Sequence, residues 1–565
     1  MIMIHRSIIL SLLLSAFFFV DIASGASYFQ VVTQHNNKET ASTDGFFVTL
    51  VAKNPDDGTD TSYTGDYDIT FGSNAKNSPD NWSPMIPSGI QSFDQGVAII
   101  YGFILPNAAT CTISASDGVI SGASTTITVN PGTATQFKLS APSTAMSGSA
   151  FSLSYLRACD LYGNIATDYQ GSMILKYSGP GTTSTKNPVY PNPVYFDNGT
   201  AVLSSKITLY MVEETHIHIE KGAVKGDSGT ITVSPGTPHY FEVTTQHNQT
   251  EEAGTPFSVT ITARDLYGNL AVGYDGDFPI ACTWTAASSP SGTKPVDGTQ
   301  TFTNGVASIH GFTLTNASQM PAISVTDNMI DGTSKEITVN PGIVASFKVT
   351  TEHDSIETAG TTFKVILACQ DAYENTLTNF TGSYSIDWQW TAGSMPGHLP
   401  SKPAAKTQEF ASGTAKIDGF TLTKAGETPI IIARSTTISG TSSPITVKPN
   451  EAASLQVNAP STVNAGQSFL LSPIVAYDYC GNAATSYQGQ KTLNYIGPAC
   501  GPVSGTPSFT TQVYFSNGSS TTELKTTLIR AGTSSIQIDD GKISGKSGTI
   551  TVMAGNAVIF SLITQ

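Results

Sequence analysis

Few residues in this chain have the type and spacing for chemistry. In Thr215-His216-Ile217-His218-Ile219, two imidazoles fall on one face of a strand, and a His-x-His pair can hold zinc. The matching segments elsewhere lack histidine and no third ligand stands close by, so the pattern favours a solvated strand face. Asp160, Asp265, Asp371 and Asp478 each begin an Asp-x-Tyr-Gly-Asn turn or a close variant, with Asn54 in the corresponding first place. Their oxygens suit calcium, but the acid cluster of a calcium cage is missing and such residues equally suit a turn. His35, His247 and His353, each followed closely by Glu, suggest a pH-sensitive contact or a hydrogen-bonded loop histidine. Lys225-Gly226-Asp227 has the look of an integrin-recognised tripeptide, yet its glycine recurs as Gly122, Gly332, Gly440 and Gly545, which a turn explains. Six Asn-x-Ser/Thr sequons, Asn198 and Asn517 among them, accompany a Ser/Thr-rich composition. Motifs for a serine-hydrolase elbow, a zinc protease helix, a phosphate loop or a dinucleotide site are absent. The expectation is a non-enzymatic protein with no catalytic, cofactor-binding or metal residues and no cofactor.

The elements that carry these residues are strands. Residues 257–269 (FSVTITARDLYGN) alternate strictly, with Phe257, Val259, Ile261 and Ala263 on one face, and then enter a turn. The same strand and turn recur at residues 46–52, 151–164, 363–375 and 469–482. Opening strands start near Tyr28, Gln136, Tyr240, Ser346 and Ser454, at intervals of 104 to 108 residues. A period near 100 residues is the size of a whole β-sandwich.

Each unit repeats further signals in order. An aromatic-x-Gly step (Tyr63, Tyr169, Tyr274, Phe380, Tyr487) precedes a variable loop, then a Phe-x-x-Gly turn (Phe93, Phe196, Phe302, Phe410, Phe515). A closing strand follows with Ile-Thr-Val from Ile127, Ile231, Ile337, Ile445 and Ile550. Linkers of three residues, such as Asn130-Pro131-Gly132 and Lys448-Pro449-Asn450, leave little slack. Repeats two and five take one extra residue between Phe and turn Asp, which a β-bulge would absorb, and Pro473 fits a bulge or an edge.

The expected fold is therefore all-β, a tandem array of five sandwiches joined by short Pro/Gly linkers after a signal peptide. The boundaries read as 1–26 signal peptide, 27–131, 132–236, 237–342, 343–450 and 451–555 for the repeats, and 556–565 as the first strand of a truncated sixth. Residues 560–565 (FSLITQ) echo residues 241–246 (FEVTTQ), which suggests an interrupted frame or fragment and an A-B-A-A-B-A order of subtypes. The leader has Arg6, an apolar run over residues 7–20 and small residues before Ala26. Its run of about 14 residues is short of the ~20 of a spanning helix, so cleavage is expected and no membrane span remains.

Composition agrees. Charged residues make up 12% of the chain, half of an ordinary soluble protein's share of about 25%. The net charge of −15 comes with no basic patch, so nucleic acid is not an expected partner. Of the six cysteines only Cys480 and Cys500 share a repeat and so could pair within it; the others read as free, small apolar residues.

Ala253-Gly254-Thr255-Pro256-Phe257, Asp265-Leu266-Tyr267-Gly268-Asn269, Phe302-Thr303-Asn304-Gly305-Val306 and Ile337-Thr338-Val339 together resemble the immunoglobulin-like tandem repeats of bacterial surface proteins, the broad invasin/intimin-like and filamin-type group. The resemblance implies a secreted or cell-surface stalk, spacer or adhesin that meets a protein or glycan at a cell surface or matrix. Two other roles stay open. The variable loops at residues 79–88, 288–297 and 395–406 could bind glycan or protein, or the repeats could be accessory to an extracellular enzyme whose catalytic domain lies outside this chain.

Overall fold

The computed structural model describes residues 25–286, 292–404, 406–501 and 505–555. Nearly all of the expected leader, the proposed opening strand at 556–565 and part of the loop at 288–297 lie outside the described residues. Every regular element among the described residues is a β-strand. No helix there is long and apolar enough to cross a membrane. The chain divides into two compact units, residues 1–240 with 262–276 and 302–306, and residues 241–261 with 277–301 and 307–565.

Repeat one shows how the alternation becomes a sandwich. Tyr28–Thr33, Phe46–Lys53 and Val97–Phe103 form one antiparallel sheet, and Gly89–Phe93, Gly65–Ser73, Ile113–Ser116 and Ser121–Ala123 form the other. Phe46–Lys53 buries every second residue, the pattern of a strand with one face on a core. Phe29, Val48, Leu50, Ile69, Phe71 and Ile113 meet between the sheets. Repeats two, four and five each enclose a comparable cluster, and there every sheet draws its strands from a single repeat. The closing strand runs parallel to a short early strand in all five repeats: Ile127–Asn130 with Lys38–Thr40, Ile231–Ser234 with Thr144–Met146, Thr338–Asn340 with Thr250–Glu252, Thr446–Lys448 with Ile356–Thr358, and Ile550–Met553 with Thr462–Asn464. Two antiparallel sheets over one core, locked by a first-to-last parallel pair, give an immunoglobulin-like arrangement.

The aromatic-x-Gly and Phe-x-x-Gly signals meet in space. Tyr63, Tyr169, Tyr274, Phe380 and Tyr487 stand edge-on to Phe93, Phe196, Phe302, Phe410 and Phe515, with ring centroids 4.8 to 5.2 Å apart. The turn glycine also donates to the aromatic's carbonyl, as from Gly96 to Tyr63 at 2.9 Å and from Gly413 to Phe380 at 2.9 Å. The Tyr63 and Tyr487 hydroxyls donate to Asp117 and Asp540 at 2.6 Å, whereas the buried Tyr169 hydroxyl has no partner. Tyr169→Phe is thus expected to raise stability by about 1 kcal/mol, while Tyr63→Phe lowers it by a similar amount. Urea unfolding of the two variants measures both, and a destabilised Tyr169→Phe would remove this account.

The extra residue of repeats two and five does not make a bulge in a continuous strand. The strand breaks instead, into Ala150–Phe151 and Tyr155–Cys159 in repeat two and into Ser468–Leu470 and Val475–Tyr477 in repeat five. Pro473 has no N–H to give a ladder, and the Ile474 N–H donates to Ser520 Oγ at 2.8 Å instead. Register shifts occur in repeats one and four, between Phe46 and Val48 and between Phe363 and Val365. There the partner strands carry Gly102 and Gly419 at φ of +96° and +98°, a conformation open to glycine at little cost.

Candidate functional site

The recurrent Asp…Asn turn is the most elaborate polar constellation among the described residues, and it serves the joint between repeats. In repeat two, Asp160 Oδ1 accepts the N–H groups of Tyr162 and Asn164, both at 2.9 Å. Asp160 Oδ2 accepts Gly132 N–H from the linker at 2.9 Å and Asn164 Nδ2 at 2.8 Å. The amide of Asn164 reaches into repeat one, where Nδ2 donates to Pro106 O at 2.8 Å and Oδ1 accepts Ala108 N–H at 2.9 Å.

The same latch closes the next three joints. Asn269 Nδ2 donates to Tyr210 O at 2.8 Å, Asn375 Nδ2 to Thr315 O at 2.6 Å, and Asn482 Nδ2 to Thr423 O at 2.8 Å. Their Oδ1 atoms accept from Val212, Ala317 and Ala425. Asp265, Asp371 and Asp478 take the linker N–H groups of Gly236, Gly342 and Asn450 at 2.8 to 3.0 Å. The four aspartates are 1 to 3% exposed. Burial alone would raise a carboxyl pKa; for Asp265 it is outweighed by the bonds from the Asn269 side chain and from the Gly236, Asn269 and Tyr267 N–H groups, so the net shift is downward. A carboxylate has about four acceptor sites, and the N–H donors take those of Asp160, Asp265 and Asp371. These oxygens thus serve turn and joint, as the turn reading anticipates, rather than facing an open calcium site.

The tyrosine of the turn adds an apolar plug. Tyr267 lies on Gly148 and Tyr373 on Gly254, and in repeat five Cys480 takes that place, its Sγ 2.8 Å from where a Cβ on Gly360 would stand. These glycines hold φ of +76°, +81° and +74°. Tyr162 joins the core cluster of repeat one and meets Trp82 edge-on at 5.7 Å. Cys480 is buried and Cys500 exposed; all six cysteines are free thiols. Burial raises the thiols of Cys282 and Cys369 to about 11 and about 12, leaving them protonated and unreactive at neutral pH.

Two of the three variable loops are drawn into these joints. From residues 79–88, Asp80 pairs with Lys138 and accepts Gln136 Nε2 at 3.1 Å, and its N–H donates to Tyr162 O at 3.1 Å. From residues 395–406, His398 meets Tyr479 edge-on at 4.9 Å. Repeat one, which follows no other repeat in this chain, has Asn54 and Gly58 where later repeats have Asp and Asn. Asn54 Oδ1 still closes the turn on the Asp56 and Gly58 N–H groups, but position 58 has no amide to extend. The joint role of Asn164, Asn269, Asn375 and Asn482 escapes the sequence reading, although the lone glycine at 58 is its signal.

The other candidates resolve into local structure. His218 Nδ1 is 2.7 Å from Asp227 Oδ1, across the hairpin in which His218 and Asp227 are paired residues, and His216 Nε2 is 3.7 Å from the same oxygen. Hairpin register about Gly222 would have revealed this partner. No group of three or more His, Cys, Asp or Glu among the described residues is arranged to hold a metal. A Cβ on Gly226 would overlap the Phe137 carbonyl, as at Gly122, Gly332, Gly440 and Gly545 against Phe29, Phe241, Phe347 and Leu455. The glycine of Lys225-Gly226-Asp227 is required by that crossing. Asn198 and Asn517 hold φ of 44° and 48°, the conformation that Gln95, Asn304 and Ser412 also take in the matching turns, so their place in the turn needs nothing attached to them.

His35, His247 and His353 form one more repeated device. Each Nδ1 lies 2.7 to 2.8 Å from the carboxylate of Glu39, Glu251 or Glu357, whose side chains are 1 to 2% exposed. The bond to Glu357 raises the pKa of His353. A raised folded-state pKa stabilises fully below the unfolded value of about 6.5, and the gain fades as pH climbs through the folded value. Repeat four is therefore expected to lose stability from pH 6 to pH 8, and His353→Gln to flatten that slope. Equal slopes in thermal melts of the two proteins would rule this out.

No family model matches the chain, and no curated protein does. Among solved structures it is similar to the bacterial integrin-binding protein invasin, with 10% identity over 89% of this chain and 100% of that one and a TM-score of 0.24. Surface layer protein SbsC, domains 1–6, gives 14% identity over 95% and 67%, TM-score 0.18. Native Escherichia coli alpha-2-macroglobulin gives 8% identity over 94%, TM-score 0.19, and this chain spans 40% of its length. At such scores the immunoglobulin-like description rests on the strand pairing itself.

Proposed function

We propose that the chain is a secreted or surface-displayed, non-enzymatic spacer of five immunoglobulin-like sandwiches, residues 27–131, 132–236, 237–342, 343–450 and 451–555, preceded by a cleaved leader. The observation that carries this reading is where the chain's polar chemistry goes. The recurrent Asp and Asn, the tyrosine plug and two variable loops all serve contacts between successive repeats. A ligand-binding array would hold its variable loops free of such contacts. A second reading, glycan or protein binding, attaches to the loop at 288–297, whose first residues lie outside the described part.

The deciding experiment pairs localisation with binding. Immunoblots of source-cell fractions are expected to find the leaderless chain at the cell surface or in the medium, and glycan and matrix-protein arrays are expected to stay silent. Saturable binding abolished by substitutions at residues 292–297 would replace the spacer with the binding module. Retention of the chain in the cytosol would remove both.

A further inference from the structure

Repeat five ends in a complete copy of the surface that accepts the latch. Each occupied joint uses a carbonyl of the preceding repeat, an N–H two residues further on and a linker N–H, and the last three joints add a glycine of positive φ. At the third joint these are Gly254, Thr315 O, Ala317 N–H and Gly342 N–H. The corresponding places in repeat five are Gly466, Ile529 O, Ala531 N–H and Gly555 N–H.

The backbone holds them in the same arrangement. Gly466 N–H donates to Leu528 O at 2.8 Å, as Gly148, Gly254 and Gly360 donate to Leu209, Leu314 and Leu422 at 2.7 to 2.8 Å. Ala465 N–H donates to Met553 O at 2.8 Å, as Ala253 and Ala359 donate to Asn340 and Lys448. A Cβ on Gly555 would stand 2.9 Å from Ala465 O, and one on Gly342 2.7 Å from Ala253 O. Gly466 has φ of +79°, within the range of its counterparts, but where those lie under a tyrosine or cysteine no described residue comes within 4 Å of a Cβ at Gly466. Leu528, Ile529, Ala531 and Val552 line a cleft of about 840 Å³ beside it.

We propose that this surface is a docking socket for the Asp-x-Tyr/Cys-Gly-Asn turn of a further repeat of the same kind, joined through Ala554 and Gly555. In-chain attachment follows from the linker's part in the latch, since its N–H supplies one bond to the incoming aspartate in all four joints. Residues 560–565 carry an opening-strand sequence in the right phase. Repeat one of a second copy is a poor occupant because Gly58 has no amide to insert. The incoming asparagine would donate to Ile529 O and accept from Ala531 N–H, its aspartate would accept Gly555 N–H, and its tyrosine or cysteine would cover Gly466. The proposal rests on the joint geometry and not on the spacer role, so each fails separately.

The test is amide hydrogen exchange at Ala531 and Gly555. The chain through residue 555 is extended with a second copy of residues 343–450, which carries Asp371, Tyr373 and Asn375. Both amides are expected to slow at least tenfold on extension. With Asn375→Ala in the appended copy alone, Ala531 returns to its original rate and Gly555 stays slow. A copy of residues 133–236, with Asp160, Tyr162 and Asn164, is the second extension and covers the case in which the first does not fold. A folded extension that leaves both amides at their original rates overturns the proposal. So does protection of Ala531 unchanged by the Asn375→Ala copy, or protection in the unextended chain that grows with concentration and so assigns the socket to another molecule.

Discussion

Asp371→Ala lowers the stability of repeat four by about 3 to 5 kcal/mol and loosens its joint with repeat three. The carboxylate is 2% exposed and accepts four N–H donors, from Gly342, Tyr373, Asn375 and the Asn375 side chain. Alanine leaves these donors facing a space that water reaches poorly, at about 1 to 3 kcal/mol for each group left unpaired, less whatever local relaxation recovers. Asp371→Asn fares little better. One of its oxygens becomes an NH₂ that either opposes Gly342 N–H and Asn375 Nδ2 or opposes the two turn N–H groups. Asn375→Ala removes the reach to Thr315 O and Ala317 N–H and one of the four donors to Asp371, so it costs about 1 to 2 kcal/mol and weakens the joint more than the fold. Trp388 and Trp390 both lie in repeat four, so with Trp82 and Trp284 replaced by Phe in parent and variants the remaining fluorescence reports its urea unfolding within the whole chain. A midpoint for Asp371→Ala that implies a loss below about 1 kcal/mol would mean the carboxylate is not the centre of the turn.

Gly440→Ala is the second large effect, a loss of at least about 3 kcal/mol by the same fluorescence. Gly440 lies on Ser439–Thr441, and its Cα faces the carbonyl of Phe347 on the opening strand Ser346–Thr351. An added Cβ would overlap that oxygen. Both partners are backbone inside paired strands, so neither can swing aside as a side chain would. The two layers would have to part near Phe347, Ile431 and Ala433, which are all buried. Ser439→Ala, one residue away and exposed, is expected to stay within about 0.5 kcal/mol of the parent. Equal behaviour of the two variants would show that the strands yield easily at this crossing.

Much of the fold was legible because its signals are local and repeated. Alternation at residues 257–263 requires a strand with one buried face, and its recurrence about every 100 residues indicates a sandwich-sized unit. Gly122, Gly226, Gly332, Gly440 and Gly545 read as turn glycines, but all five lie within strands, where one empty Cβ place recurs because two backbones cross. The broken strand of repeats two and five was half legible: the extra residue was countable, but whether it forms a bulge or a break depends on which partner receives the Ile474 N–H.

The joints were decided by tertiary structure. A turn of Asp, Gly and Asn satisfies its own backbone in isolation, so its sequence has no need of a neighbour. Only folding brings Asn164 within 2.8 Å of Pro106, 58 residues earlier, and sets Asp80 beside Lys138. Partners that far apart along the chain leave no local pattern, and the one departure, Gly58 of repeat one, does not say what the asparagine of the later repeats would reach. The sequence by itself determined that the chain is built of repeated strands with no recognisable catalytic motif. Tertiary structure alone decided that the repeated turn is a latch, because its amide is aimed at the carbonyl of another repeat rather than at anything within its own.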